Sequence, residues 1–131
     1  MDTNDSSQDY LYKKECYSIV GACMAVQNEL GSAFLEPGYQ EALALEFDKR
    51  KIPYVKERRL EVFYKDTLLE KKYYADFLCY DKIILELKVC KDLAPQHTAQ
   101  ALNYLSAMKL NLALLVNFGS TRLQWKRIIQ T

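Results

Sequence analysis

In the run Ile83-Ile84-Leu85-Glu86-Leu87-Lys88-Val89-Cys90, a carboxylate and an ammonium interrupt a segment otherwise apolar enough to be a buried strand. Side chains two apart on a strand share a face, so Glu86 and Lys88 point together to one side while Leu85, Leu87 and Val89 point to the other. Taking both charges out of water is unfavourable without mutual pairing, a ligand or a metal. Upstream, Tyr74-Ala75-Asp76-Phe77-Leu78-Cys79-Tyr80 is a second apolar segment carrying one acid. The polar step Tyr80-Asp81-Lys82 is short enough to fold the two into a hairpin that sets Asp76 beside Glu86. Two carboxylates and a lysine converging on one point can hold a hard cation through oxygen ligands and orient a water against a phosphodiester. The competing readings are an ion pair on a half-exposed strand for Glu86 and Lys88, and a solvated strand end for Asp76. A second such triplet, Glu70-Lys71-Lys72, lacks apolar flanks, so its charges are expected in water.

Two further groups belong with these three. Glu36 stands just before Pro37 at a helix start, where unpaired N–H groups and the helix dipole favour a carboxylate; simple capping is the alternative. Farther on, His97, Gln100 and Tyr104 fall at i, i+3 and i+7 of a helical pattern and share one polar-tipped face, distinct from the Leu102/Leu105 stripe. A lone histidine in that setting is ordinarily a surface residue, which makes His97 peripheral.

These residues need positioning elements, and the periodicities supply them. Apolar residues recur at helical spacing from Tyr10 to Leu30, and Gly31 ends that helix. Pro37 suits the first turn of a second helix, with Tyr39, Leu43 and Phe47 on one stripe, Lys49-Arg50-Lys51 near its end and Ile52-Pro53 as its stop. Tyr54 to Tyr64 reads as a strand, Lys65-Asp66 as a turn, and a second strand runs through Leu68 to Tyr80, so that Lys82–Cys90 completes a three-stranded meander. Pro95 opens a third helix through Lys109. Leu112–Val116 reads as a strand covered on both faces, and the alternation around Leu123, Trp125, Arg127 and Ile129 gives a last strand. A helix between the strands at Lys82–Cys90 and Leu112–Val116 implies a parallel crossover. The expected fold is α/β, a mixed sheet flanked by helices in a single domain.

With 131 residues the chain fits one domain, and with half of them apolar and 27% charged it has an ordinary globular composition. Residues 1–9 read as a flexible polar tail preceding a domain over 10–131. No signal-peptide pattern and no apolar stretch near the roughly 20 residues of a membrane span is present, so a cytoplasmic protein with no membrane contact is expected. Cys16, Cys23, Cys79 and Cys90 form no CxxC pair and read as reduced core residues, with a Cys79–Cys90 contact across the hairpin conceivable. Charge is polarised along the chain: residues 1–48 carry nine acids against two lysines, and the remainder carries sixteen basic residues against eight acids. The clusters at Lys49-Arg50-Lys51, Lys56/Arg58/Arg59, Lys71-Lys72 and Lys126-Arg127 either neutralise phosphates or are solvated strand edges and helix ends.

Asp76 followed by Glu86-Leu87-Lys88 resembles the D…ExK core of the PD-(D/E)xK nuclease superfamily, with Ala75 where a proline often stands. Gly31-Ser32-Ala33-Phe34-Leu35-Glu36-Pro37-Gly38-Tyr39 is similar to the segment that names its small GxxExxY branch, with Glu36 and Tyr39 at the last two marked positions and Ala33 at the first. Gln100-Ala101-Leu102-Asn103-Tyr104 resembles the QxxxY helix signature of RecB-like members, and Leu114-Leu115-Val116-Asn117-Phe118-Gly119 resembles a segment typical of the group. The resemblance extends from about Ile19 to Ile129. It implies a restriction-endonuclease-like fold and a nuclease cleaving nucleic acid, DNA in preference to RNA. It further implies Mg²⁺ or Mn²⁺ held by Asp76, Glu86, the Leu87 carbonyl and Glu36, with Lys88 assisting the attacking water. Gln100 and Tyr104 would brace Lys88 or contact the scissile strand. The alternatives are a catalytically inactive nucleic-acid-binding or protein-interaction module on the same fold, or an accessory subunit of a larger complex; a homodimer or a protein partner would add substrate surface.

Overall fold

A computed structural model describes residues 11–131; the tail expected over 1–9, and Tyr10 with it, lies outside the described residues. The elements run α1 (Lys13–Leu30), α2 (Glu36–Arg50), β1 (Tyr54–Leu60), β2 (Phe63–Tyr64), β3 (Thr67–Leu68), β4 (Tyr73–Cys79), β5 (Ile83–Lys88), α3 (Pro95–Met108), β6 (Leu112–Asn117) and β7 (Gln124–Ile129). Five strands make one mixed sheet in the order β1-β4-β5-β6-β7, and β2 with β3 makes a separate two-stranded hairpin. Only β5 and β6 run parallel, joined by α3 as the crossover, and the other neighbours are antiparallel.

The central strands β5 and β6 are buried on both faces, whereas edge strand β1 is largely exposed and edge strand β7 partly so. Ile83, Leu85 and Leu87 of β5 meet α1 and α2 through Ile19, Cys23, Leu43 and Phe47, while Ile84 joins Ala101 and Leu105 of α3 on the opposite side. Leu112 to Val116 are fully buried, as a strand covered twice must be. Full burial of Leu43 and Phe47 stabilises the α2 docking by roughly 1.5–3 kcal/mol per side chain. All four cysteines are free, and Cys23 of α1 shares the core cluster with Cys79. Cys79 pairs with Ile83 at the turn end of the hairpin while Cys90 lies past the far end of β5, so the conceivable Cys79–Cys90 contact is not formed.

One strand is shorter than its composition suggested. β1 stops at Leu60, the last residue paired with β4 and a buried one, and residues 61–72 leave the sheet to form the β2/β3 hairpin with Lys65 in the left-handed turn position. Phe63 and Tyr64 have β propensity but no facing layer to bury them, so they sit on a peripheral hairpin, exposed.

Two local devices fix the ends of the site-bearing elements. Tyr39 is buried, stacks on Phe118 at 4.6 Å between ring centroids, donates its hydroxyl to the Gly31 carbonyl at 2.6 Å and accepts the Phe34 N–H at 3.3 Å. It thereby clamps the α1–α2 connection, in which Gly31 takes φ 78°, a conformation that favours glycine. Beyond β5, Asn117 is buried and bonds on both sides of its amide. Its Oδ1 accepts the N–H groups of Cys90 and Gly119, and its Nδ2 donates to the Cys90 carbonyl and to Gln124 Oε1. Gly119 passes so close that a Cβ there would lie 2.6 Å from Cys90 N and O.

Candidate active site

The Tyr80-Asp81 turn, with both residues left-handed, folds β4 onto β5 and pairs Cys79 with Ile83, Leu78 with Ile84 and Phe77 with Leu85. Past that point the regular ladder is replaced by side chains. The Asp76 N–H donates to Glu86 Oε2 at 2.8 Å, and the Leu87 N–H donates to Asp76 Oδ2 at 2.7 Å. Each carboxylate thus satisfies the backbone of the other strand, taking the place of the carbonyls that a continued ladder would present. The Asp76 carbonyl accepts Gln40 Nε2 from α2 at 3.3 Å. The second oxygens, Asp76 Oδ1 and Glu86 Oε1, accept no hydrogen bond from a described residue and keep some contact with accessible space.

Lys88 lies on the Glu86 face, as the two-residue spacing requires, and its Nζ donates to Gln100 Oε1 of α3 at 3.1 Å. The ammonium is therefore braced by a neutral amide. Tyr104, one turn further along α3, is half-buried with its hydroxyl pKa raised by burial and then by the Glu86 and Asp76 charges. Glu36 is the first residue of α2. Its carboxyl is raised by burial and by Asp76 and lowered by Lys88, so it stands within electrostatic reach of both. His97 has another use: its Nδ1 accepts the Ala94 N–H at 2.9 Å and caps α3.

Burial dominates the electrostatics. Glu86 is only 4% exposed; desolvation first, and the Asp76 charge second, push its carboxyl up to about 8, against the opposing pull of the Asp76 N–H and Lys88. Asp76 is raised as well, chiefly by burial, with the Leu87 N–H and Lys88 opposing and Glu57 adding to the rise. Near neutral pH the pair alone holds a proton. Because the folded pKa of Glu86 lies above its ordinary value of 4.5, the associated stability is fully present below that value and is lost as pH rises through about 8. We expect the melting temperature of the metal-free protein to fall by roughly ten degrees between pH 5 and 9, followed by circular dichroism; a flat profile would show that Glu86 is not held neutral.

The donor set suits a hard cation by chemistry, being oxygen only. Among the described residues no group of three or more His, Cys, Asp and Glu side chains is gathered to hold a metal. Two carboxylates with open positions beyond them fit Mg²⁺, which commonly takes one or two carboxylates and completes its shell with water and substrate phosphate.

The sequence matches the family model of the PD-(D/E)XK nuclease superfamily over residues 13–128, from the start of α1 to within β7. The chain belongs to the PD-(D/E)XK nuclease superfamily. Neither a curated protein nor a solved structure matches it. Its mixed sheet with helices on both faces is the restriction-endonuclease-like α/β fold. Membership of this nuclease superfamily points to a nuclease-type function with nucleic acid as substrate. No helix among the described residues is long and apolar enough to cross a membrane.

Two residues of this PD-(D/E)XK domain, Gln40 and Glu57, escape a reading by motif, and the role of a third, Asn117, is not legible in the motif that contains it. Gln40, one helical turn after Glu36, holds the Asp76 carbonyl, a neighbour relation that i, i+4 spacing on α2 makes visible in retrospect. Glu57 sits in the left-handed region at φ 54°, at the β1 position opposite Asp76, and adds negative charge there. Its sequence signal is faint: one acid amid Lys56, Arg58 and Arg59. Asn117 stands inside the run over 114–119 that resembles a segment typical of the group, but nothing in that run beyond a polar residue ending an apolar stretch marks its bonds to Cys90 and Gly119. The basic clusters divide. Lys56, Arg58 and Arg59 are exposed on edge strand β1 beside the site, whereas Lys126 and Arg127 diverge, to Thr98 on one face and the Leu11 carbonyl on the other, and make no joint patch. The Glu70-Lys71-Lys72 triplet is exposed.

Proposed function

We propose that the chain is a divalent-cation-dependent nuclease that hydrolyses phosphodiester bonds at the β4–β5 site. The observation that carries the reading is the crossed arrangement of Asp76 and Glu86, each bonded to the other strand's backbone, with Lys88 two residues on and braced by Gln100. In this reading Asp76, Glu86 and the Leu87 carbonyl hold Mg²⁺ or Mn²⁺, and Glu36 completes the acidic wall. The bound cation supplies Lewis acidity to the scissile phosphate and lowers the pKa of water. Lys88 presents its ammonium to the charge that builds on the phosphate oxygens as water adds to phosphorus and the ester oxygen leaves. Gln100 keeps Nζ from folding back onto the carboxylates, and Tyr104 contacts the scissile strand.

Cation binding displaces the proton held by the Glu86–Asp76 pair, so affinity rises with pH toward 8 and protons are released. Differential scanning fluorimetry at pH 8 should show Mn²⁺ raising the melting temperature by several degrees, and titration calorimetry in buffers of different ionisation enthalpy should register the released protons. No shift at any concentration up to the millimolar range would mean that the carboxylates form only a proton-sharing pair. A second reading, a non-catalytic nucleic-acid-binding module or accessory subunit, is favoured by the near-neutral net charge of +1. Gel-shift and cleavage assays on single-stranded, duplex and branched substrates with Mg²⁺, Mn²⁺ or chelator separate the readings.

The GxxExxY branch is the assignment within the superfamily that Glu36 and Tyr39 support, and DNA in preference to RNA, a cytoplasmic location and a homodimer or protein partner complete the proposal. The dimer would add grip to a single small domain, and a monomeric mass at high concentration would remove it.

A further inference from the structure

Beside the Lys88–Gln100 pair opens a cleft of about 820 Å³, walled on one side by α3 and on the other by Phe63 of the hairpin and Tyr73 at the start of β4. We infer that this cleft binds an unpaired segment of nucleic acid next to the scissile phosphate, so that the substrate is a single strand, a flap or a frayed end instead of an uninterrupted duplex. The inference rests on the nuclease reading for its phosphate and on independent features for its base.

The cleft wall on α3 presents Gln96, Gln100, Asn103 and Tyr104, three amides and a phenol able to bond the edges of a base. Opposite them Phe63 is 57% exposed and Tyr73 partly so, offering flat aromatic surface that the fold leaves uncovered. A lysine adjoins one of these rings, Lys71 Nζ lying 6.0 Å from the Tyr73 centroid. Lys109 lies at the rim, and Glu61 is the one acid of the lining. Aromatic faces with adjoining cations are what a single strand requires, since every base can stack and every phosphate is anionic. The volume lies within the ~300–1,000 Å³ typical of small-ligand pockets, the scale of a nucleotide or two and far below a turn of duplex. Tyr104 belongs both to this wall and to the field of Glu86 and Asp76, so an occupant here adjoins the reacting centre.

The test uses the full chain carrying Glu86→Gln, which removes cleavage under the nuclease reading, and fluorescence anisotropy with a labelled 12-nucleotide single strand and the blunt duplex of the same sequence. Binding of the single strand should be at least tenfold tighter. Phe63→Ala should weaken it by roughly tenfold with duplex affinity unchanged, and Phe63→Trp should restore it. Phe63 is exposed on a peripheral hairpin, so its loss leaves the folded core intact; the mass of wild type and Phe63→Ala is measured alongside. Equal affinity for both substrates, no binding of either, an unaffected Phe63→Ala variant, or a ring that instead controls self-association would each overturn the inference. Wild-type cleavage of duplex with no single-strand preference would overturn it while leaving the nuclease reading standing. Preferential single-strand binding without metal-dependent cleavage by the wild type would do the reverse.

Discussion

Replacing Glu86 by Gln should lower divalent-dependent cleavage by on the order of a thousandfold, equivalent to about 4 kcal/mol of transition-state stabilisation, while making the metal-free protein more stable above pH 7. The two effects oppose because the same carboxylate plays two parts. As an anion it is 4% exposed and beside Asp76, and burial pushes it up to about 8, so ionising it works against the fold. An amide keeps an acceptor for the Asp76 N–H, which Glu86 Oε2 now meets at 2.8 Å, without the charge. Stability gained on deprotonation-free substitution should reach a few kcal/mol at pH 9 and vanish near pH 4. Lys88→Ala should be as inactive with none of the pH-dependent gain. Cleavage rates with Mg²⁺ or Mn²⁺ and melts across pH test both halves, and wild-type rates for Glu86→Gln, with contaminants excluded, would remove this site from the chemistry.

Asn117→Ala should be the most destabilising of the single changes considered, at about 3–5 kcal/mol. Four hydrogen bonds converge on this buried amide, and its removal strands the N–H and C=O of Cys90 together with the Gly119 N–H. Its Nδ2 is the donor side because it faces the Cys90 carbonyl. Asn117→Asp keeps the acceptor but sets a second oxygen against that carbonyl, so it should do no better. The loss is read by urea denaturation. Since the Phe118 N–H bonds the Lys88 carbonyl in the same corner, the variant should also lose cleavage at temperatures where it is still folded. A cost below about 1 kcal/mol would mean that the β5–β6 corner is held by strand pairing alone.

Much of the architecture is written in short-range pattern. Three helices, the paired strands about Tyr80-Asp81, the doubly covered Leu112–Val116 strand and the parallel crossover follow from periodicities of 3.6 and 2 and from the length of connections. The same rules misjudge Tyr54–Tyr64 as one strand, because β propensity describes how Phe63 and Tyr64 would pack if something faced them, and nothing in the sheet does. His97 is another case: one residue type serves catalysis, surface and capping, and only its bond to the Ala94 N–H decides among them.

The sequence by itself set Glu86 and Lys88 on one strand face through their two-residue spacing, and its short Tyr80-Asp81-Lys82 step led to the expectation of Asp76 beside Glu86. Tertiary structure alone decided what those charges experience: the carboxylates bonded to opposite backbones, Gln100 holding the ammonium, Glu57 turned left-handed across from Asp76, and Asn117 closing the corner. Those outcomes depend on how far a helix stands from a sheet and which groups are left without water, and burial is a property of the assembled layers that no local run of residues encodes.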